Sequence, residues 1–142
     1  MQACIVIGGK SREDDSLDEI AKALAKGLES QGHTVDILNI YTDSDRKLSF
    51  YDYVIVGTTA TTSFGGSIPE AVEAFLKRAG QVSGKRCLAF VTKAGLRSQK
   101  TLLSLMKAME GEGMYLKYSE VFKKPGEALA LGKRLNIERN FQ

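Results

Sequence analysis

Short runs of continuous apolar residues, each followed by residues at helical spacing, constrain this chain more than any other feature. Ala3–Ile7 and Tyr53–Val56 carry no polar alternation, so they read as strands covered on both faces. After the first run, Leu17, Ile20, Ala21, Leu24, Ala25 and Leu28 keep the spacing of one buried helix face, and Gly32 closes that helix. Val35–Ile40 reads as the second strand. Only eleven residues, Thr42–Asp52, separate it from the third, which leaves room for a short turn of helix at most. Arg86–Thr92 is the fourth strand, and Leu102, Leu105, Met106 and Met109 mark the helix after it. Met114–Phe122 alternates as the edge strand of a sheet does, and Ala128, Leu131 and Leu135 define a closing helix. Strands alternating with helices, with no internal repeat or linker, predict an α/β sandwich around a parallel sheet.

The segment Tyr51–Arg78 adds a ligand-binding character to that plan. Tyr53–Val56 ends at Gly57 and runs into a loop built almost wholly of Thr, Ser and Gly, with Phe64 its one aromatic residue. Such a loop offers backbone N–H groups, hydroxyls and a single π surface with little bulk. Ser67-x-x-Glu70 predicts a capping box with Pro69 in the first turn, and Val72, Phe75, Leu76 and Ala79 follow on one helix face.

At 142 residues the chain suits a single domain, 1–142, able to bury a core without disulfides or metal. The apolar run after Met1 is broken at Gly8 and Lys10, too short for a secretory or membrane-spanning segment, and a cytoplasmic protein is expected. Cys4 and Cys87 lie within predicted strands, with no neighbouring His or Cys to share a metal, and read as small buried hydrophobes. His33, in the turn before the second strand, reads as a surface residue. Residues 1–71 carry 6 Lys/Arg against 11 Asp/Glu, while residues 72–142 carry 14 against 6. That split either orients a charged partner or reflects solvated helix faces. The basic residues are not interleaved with stacking aromatics, so nucleic-acid binding is not expected.

The strand ending in Gly57-Thr58, the Phe64-Gly65 pair, Ser67, Pro69 and the helix ending Phe75-Leu76-Lys77-Arg78 together resemble the second flavin loop of the flavodoxin-like family. Asp52, Gly95 and the terminal Pro125–Leu135 segment fall where short-chain flavodoxins have similar residues. The resemblance implies a flavodoxin-like fold: a three-layer, doubly wound sandwich with a five-stranded parallel sheet in the order 2-1-3-4-5. It also implies FMN as cofactor, electron transfer or a small flavin-dependent oxidoreduction as activity, and a redox protein as partner. In that order the crevice lies at the carboxyl ends of strands 1 and 3, where Lys10–Ser16, Thr58–Phe64 and Thr92–Leu96 converge. The residues implied at the cofactor are Lys10, Ser11, Arg12 and Ser16 from the first loop, and Thr58, Thr59, Ala60, Thr61, Thr62, Ser63, Phe64 and Gly65 from the second. Thr92, Lys93, Ala94 and Gly95 complete the set from the third.

The chain departs from the family at both flavin loops. The usual Gly-Thr-Pro-Thr-Tyr becomes Gly57-Thr58-Thr59-Ala60-Thr61, with three extra residues before Phe64. In the first loop, Glu13-Asp14-Asp15 stands where Thr-Gly-Asn is usual. Each carboxylate at about 6 Å would oppose each phosphate charge by roughly 0.7 to 3 kcal/mol, depending on the effective dielectric. Three of them rival the attraction of a helix N-terminus, worth roughly 0.3 to 2 kcal/mol. Ser16-x-x-Glu19 also predicts a capping box that would use the helix amides itself. Against this, Lys10, Ser11 and Arg12 supply donors, and Arg12 has the fork to hold a phosphate bidentately. At the ring, Gly65-Gly66 gives backbone freedom, and Phe64 either stacks on the flavin or fills the core beneath the loop. The third loop lacks the Tyr or Trp that often covers the second flavin face. Lys93, Arg97 and Lys100 stand near the pyrimidine edge or a docking rim, or are solvated helix-start charges.

Two readings of function follow: a flavodoxin-like FMN protein whose chemistry is the cofactor's, and a flavodoxin-like domain that has lost FMN and serves as an interaction module. A phosphorelay receiver lacks its acidic pair and its acceptor Asp, because Gly8-Gly9 and Gly57-Thr58 occupy those strand ends. A dinucleotide fingerprint lacks its third Gly. Neither a Ser-His-Asp set nor a metal cluster can be built from one turn His.

Overall fold

A computed structural model describes residues 1–60, 66–92 and 97–137 of the chain. Five strands, β1 (Gln2–Gly8), β2 (Thr34–Asn39), β3 (Tyr53–Thr59), β4 (Arg86–Thr92) and β5 (Tyr115–Phe122), form one parallel sheet in the order β2-β1-β3-β4-β5. Four helices alternate with them: α1 (Asp18–Glu29), α2 (Glu70–Arg78), α3 (Ser98–Gly111) and α4 (Pro125–Arg134). Thr42–Asp52 forms turns and no helix.

The two sheet faces bury two separate cores, because successive strand residues point to opposite sides. Ala3, Ile5 and Ile7 join Ile55, Leu88 and Phe90 under α1 and α4, whereas Cys4 and Val6 join Val54, Val56 and Ala89 under α2 and α3. Every residue of β3 is buried, the apolar Tyr53–Val56 run and the Thr58 and Thr59 that follow it alike. β2 and β5, at the two edges, each leave residues exposed. The expected helix faces are the buried ones: Leu17, Ile20, Leu24 and Leu28 of the α1 segment, and Val72, Phe75 and Leu76 of α2. α1 and α4 approach unusually closely. A Cβ on Gly27 would lie 2.6 Å from the Leu129 carbonyl oxygen, and one on Gly132 would lie 2.6 Å from that of Leu24. Gln31 then donates its side-chain amide to the carbonyls of Gly132 (2.6 Å) and Leu135 (2.9 Å), closing the end of α4.

Several expectations are corrected. β3 does not stop at Gly57 but continues to Thr59. Gly57 is needed inside the strand because a Cβ there would lie 2.1 Å from the Phe90 ring of β4, so the missing side chain makes room for a neighbour. Neither capping box forms. α1 is capped by Leu17 and α2 by Pro69, and neither cap makes a side-chain hydrogen bond. His33 is not on the surface but 8% exposed, with Nδ1 3.3 Å from the Met1 amino nitrogen. Cys4 and Cys87 are buried free thiols, and burial pushes the Cys87 thiol up to about 12, with Glu110 adding to the effect. No described helix is long and apolar enough to cross a membrane.

Candidate functional site

The carboxyl ends of β1, β3 and β4 meet at one rim, and hydroxyl groups join them there. Ser16 Oγ lies 2.9 Å from Thr59 Oγ1, and the Thr92 hydroxyl donates to Thr59 Oγ1 at 3.5 Å. Thr59 and Thr92 are register partners, so parallel pairing of β3 with β4 puts these hydroxyls side by side. Ser16 lies one residue before Leu17, the N-cap of α1, and its hydroxyl pairs with Thr59. Of the cofactor residues implied by the sequence, Ser16, Thr59 and Thr92 are therefore brought together.

Thr58 and Ala60 are fully buried beneath the rim. The Thr58 hydroxyl donates to the Gly8 carbonyl at 2.6 Å, which ties β3 to the end of β1. Lys10, Ser11 and Arg12 are exposed on the first loop. Thr61, Thr62, Ser63, Phe64 and Gly65, and likewise Lys93, Ala94 and Gly95, lie outside the described residues. Gly66, just beyond, adopts a φ of +97°, and its carbonyl accepts the Ser104 hydroxyl at 2.6 Å. Beside the loop is a cavity of about 530 Å³ lined by Lys10, Tyr41 and Ser67–Ala71.

The first loop is organised around Asp14. Its Oδ2 accepts the Lys10 N–H at 2.9 Å, and its Oδ1 accepts the Ser16 N–H at 3.0 Å. The Asp14 N–H donates to the Ser11 carbonyl, so the acidic stretch turns back on itself. The Tyr41 hydroxyl donates to the Gly9 carbonyl at 2.7 Å. In a trans peptide the N–H points opposite to the carbonyl, so anchoring Gly9 C=O toward Tyr41 aims the Lys10 N–H at Asp14. Burial works to raise the Asp14 carboxyl, but the Lys10 N–H, the Ser16 donors and the Lys10 charge outweigh it and hold the group below its ordinary value. Burial and the Asp14 charge both raise the Tyr41 phenol.

Phosphate binding requires free N–H and O–H donors. Here the N–H groups of Lys10 and Ser16 are taken by Asp14, and the Ser16 hydroxyl is engaged with Thr59. As folded, these backbone donors do not fit a phosphate, and only the exposed side chains of Lys10, Ser11 and Arg12 are left to meet one. Sequence reasoning counted three equivalent acids and missed that Asp14 alone turns inward. The signal was present in Asp14-x-Ser16, the spacing at which an Asp carboxylate accepts the N–H two residues on. Among the described residues no group of three His, Cys, Asp or Glu side chains gathers to hold a metal.

No family model and no curated protein matches this sequence. Solved structures do. The chain is similar to a flavodoxin from the domain Archaea, at 20% identity over the whole of both chains with a TM-score of 0.69. It is similar to the flavodoxin of Streptococcus pneumonia TIGR4, at 20% identity over 94% of each chain with a TM-score of 0.71. Oxidised flavodoxin 1 from Bacillus cereus matches at 17% identity over 94% of this chain and 99% of its own, with a TM-score of 0.66. With the strand order and the two-sided helical layers already described, these likenesses identify the chain as a protein of flavodoxin-like fold.

Proposed function

We propose that this chain holds a flavin at the carboxyl ends of β1 and β3 and serves in electron transfer or in reduction of a small oxidant. The observation that carries this reading is the rim joining Ser16, Thr59 and Thr92, where three loops of the sheet's switch point meet in a fold shared with solved flavodoxins. FMN is the form the family resemblance implies, and an isoalloxazine bound there would supply the redox chemistry. The chain's own part is to seat the ring, exclude water from one side of it and set its electrostatic surroundings. The cavity beside Lys10 and α2 gives the site an apolar flank in Ile68, Pro69 and Ala71. No side-chain acid, base or nucleophile is needed, a redox protein is the expected partner, and a cytoplasmic, single-domain protein suits the role.

One observation favours a second reading. The inward Asp14 withdraws donors from the loop that would hold the FMN phosphate, as expected of a domain that has lost FMN and acts as an interaction module. Purification without added flavin, a visible spectrum, and fluorescence titration with FMN and riboflavin separate the two. A yellow protein, or quenching of either flavin on titration, supports the flavin reading. A colourless protein indifferent to both overturns it in favour of the interaction module.

A further inference from the structure

We infer that Asp14 is the resident anion of the first loop, and that by holding the Lys10 and Ser16 N–H groups it makes the crevice select a flavin without a phosphate. The clause about flavin rests on the function proposed above; the clause about the loop stands on its own geometry. Two independent features place the carboxylate there. It accepts N–H groups from both sides of the loop, Lys10 and Ser16. Gly9 leaves space for it, since a Cβ at that position would lie 2.6 Å from Asp14 Oδ2 and 2.7 Å from its carboxyl carbon.

A phosphate entering this loop must therefore first displace a carboxylate that already makes two charge-assisted hydrogen bonds. Opening the loop costs those bonds and leaves the displaced charge beside the incoming dianion. Riboflavin, whose ribityl chain ends in a hydroxyl, asks for neither. Glu13 and Asp15 are exposed, so their charges are screened by water, and the selection falls to Asp14 by occupancy.

Two variants remove the occupant by different routes. Asp14→Ala deletes it, while Gly9→Ala evicts it, at a position whose φ is not positive and so accepts Ala without backbone strain. Asp15→Asn removes a charge without touching the donors. Amide resonances of Lys10 and Ser16 are followed as inorganic phosphate is added at neutral pH. The expected result is no saturable shift in the parent chain or Asp15→Asn, and saturable shifts in Asp14→Ala and Gly9→Ala, tighter by about tenfold or more, the worth of one charged hydrogen bond. Phosphate binding by the parent as tight as by Asp14→Ala overturns the inference, and so does its absence from both loop variants. An Asp15→Asn response equal to that of Asp14→Ala also overturns it, because bulk charge would then be the cause.

In a second arm FMN and riboflavin are titrated into the same proteins. A parent chain that binds FMN no better than riboflavin, with Asp14→Ala preferring FMN by about tenfold, supports the ligand class. A parent preference for FMN of that size overturns it. Failure of every protein to bind either flavin removes the flavin clause together with the proposed function, while the phosphate titration still decides what Asp14 does.

Discussion

The two ends of α1 are held in place by opposite means. At its carboxyl end the backbone of α4 lies directly against it, Gly27 on Gly132, with no side chain between. At its amino end the chain enters through an exposed loop whose order comes from Asp14, Tyr41 and the Ser16–Thr59 pair. The first end tolerates no added atom. The second is held by hydrogen bonds at an exposed loop, so a substitution that removes the carboxylate leaves its donors to water and does not break the packing. Rigidity and adaptability thus sit about three helical turns apart on one element.

The sharpest way to break this contrast is at the packed end. Gly132→Leu forces the helices apart or distorts both, and a loss of about 3 kcal/mol in urea unfolding is expected. A loss below about 0.5 kcal/mol would mean that α4 can move freely and that the two ends are alike. Gln31→Ala removes two donors from the end of α4 and is expected to cost about 1 kcal/mol. A neutral outcome would assign the closure of α4 to the glycine contact alone.

At the polar end the expected effects are smaller and depend on pH. The folded Asp14 carboxyl is held below its ordinary value of 3.8, so its contribution is fully present above that value and is lost as pH falls through the folded one. The groups facing it are Lys10 and Ser16 in the loop and Tyr41 from the segment after β2. Compared with Asp14→Asn, the parent chain should hold a small stability advantage at neutral pH that begins to fade only below pH 3.8 and is gone once pH has fallen through the lower folded value. An advantage that persists there would show that the loop does not depend on the charge. The smallest effect belongs to Glu19→Ala. Among the described residues Glu19 makes a 4.0 Å contact with Lys22 on the exposed face, so stability should stay within about 0.5 kcal/mol. A loss of more than about 1 kcal/mol would restore the capping box that the sequence predicts.

That last case shows what was legible and what was not. Strand positions, strand order and the buried helix faces followed from periodicity and resemblance, because apolar burial repeats along the chain and leaves a local trace. The errors share a different cause. Gly57 read as a strand end, but its reason is the Phe90 ring on the next strand, thirty-three residues away in sequence. Ser16 read as a helix cap, but its partner is Thr59 across the rim. Both are contacts made by topology, and no window of sequence contains them. At the site, the strand order implied that the loops after the first, third and fourth strands converge, and Ser16, Thr59 and Thr92 do meet there. The inward turn of Asp14 was not foreseen, since three acids in a row carry the same charge and only the loop's own path distinguishes them.

The two cysteines give the sheet a built-in clock. Cys4 sits in β1 and Cys87 in β4, on either side of the central strand, and both side chains are fully enclosed. Burial raises both thiols, so neither presents a thiolate to a reagent while the sheet is closed. Each can be alkylated only during an opening that reaches its own strand. The rates at the two positions therefore time the breathing of the central strands separately, with no probe introduced, and comparing them with and without a ligand at the rim would reveal how far along the sheet that ligand is felt.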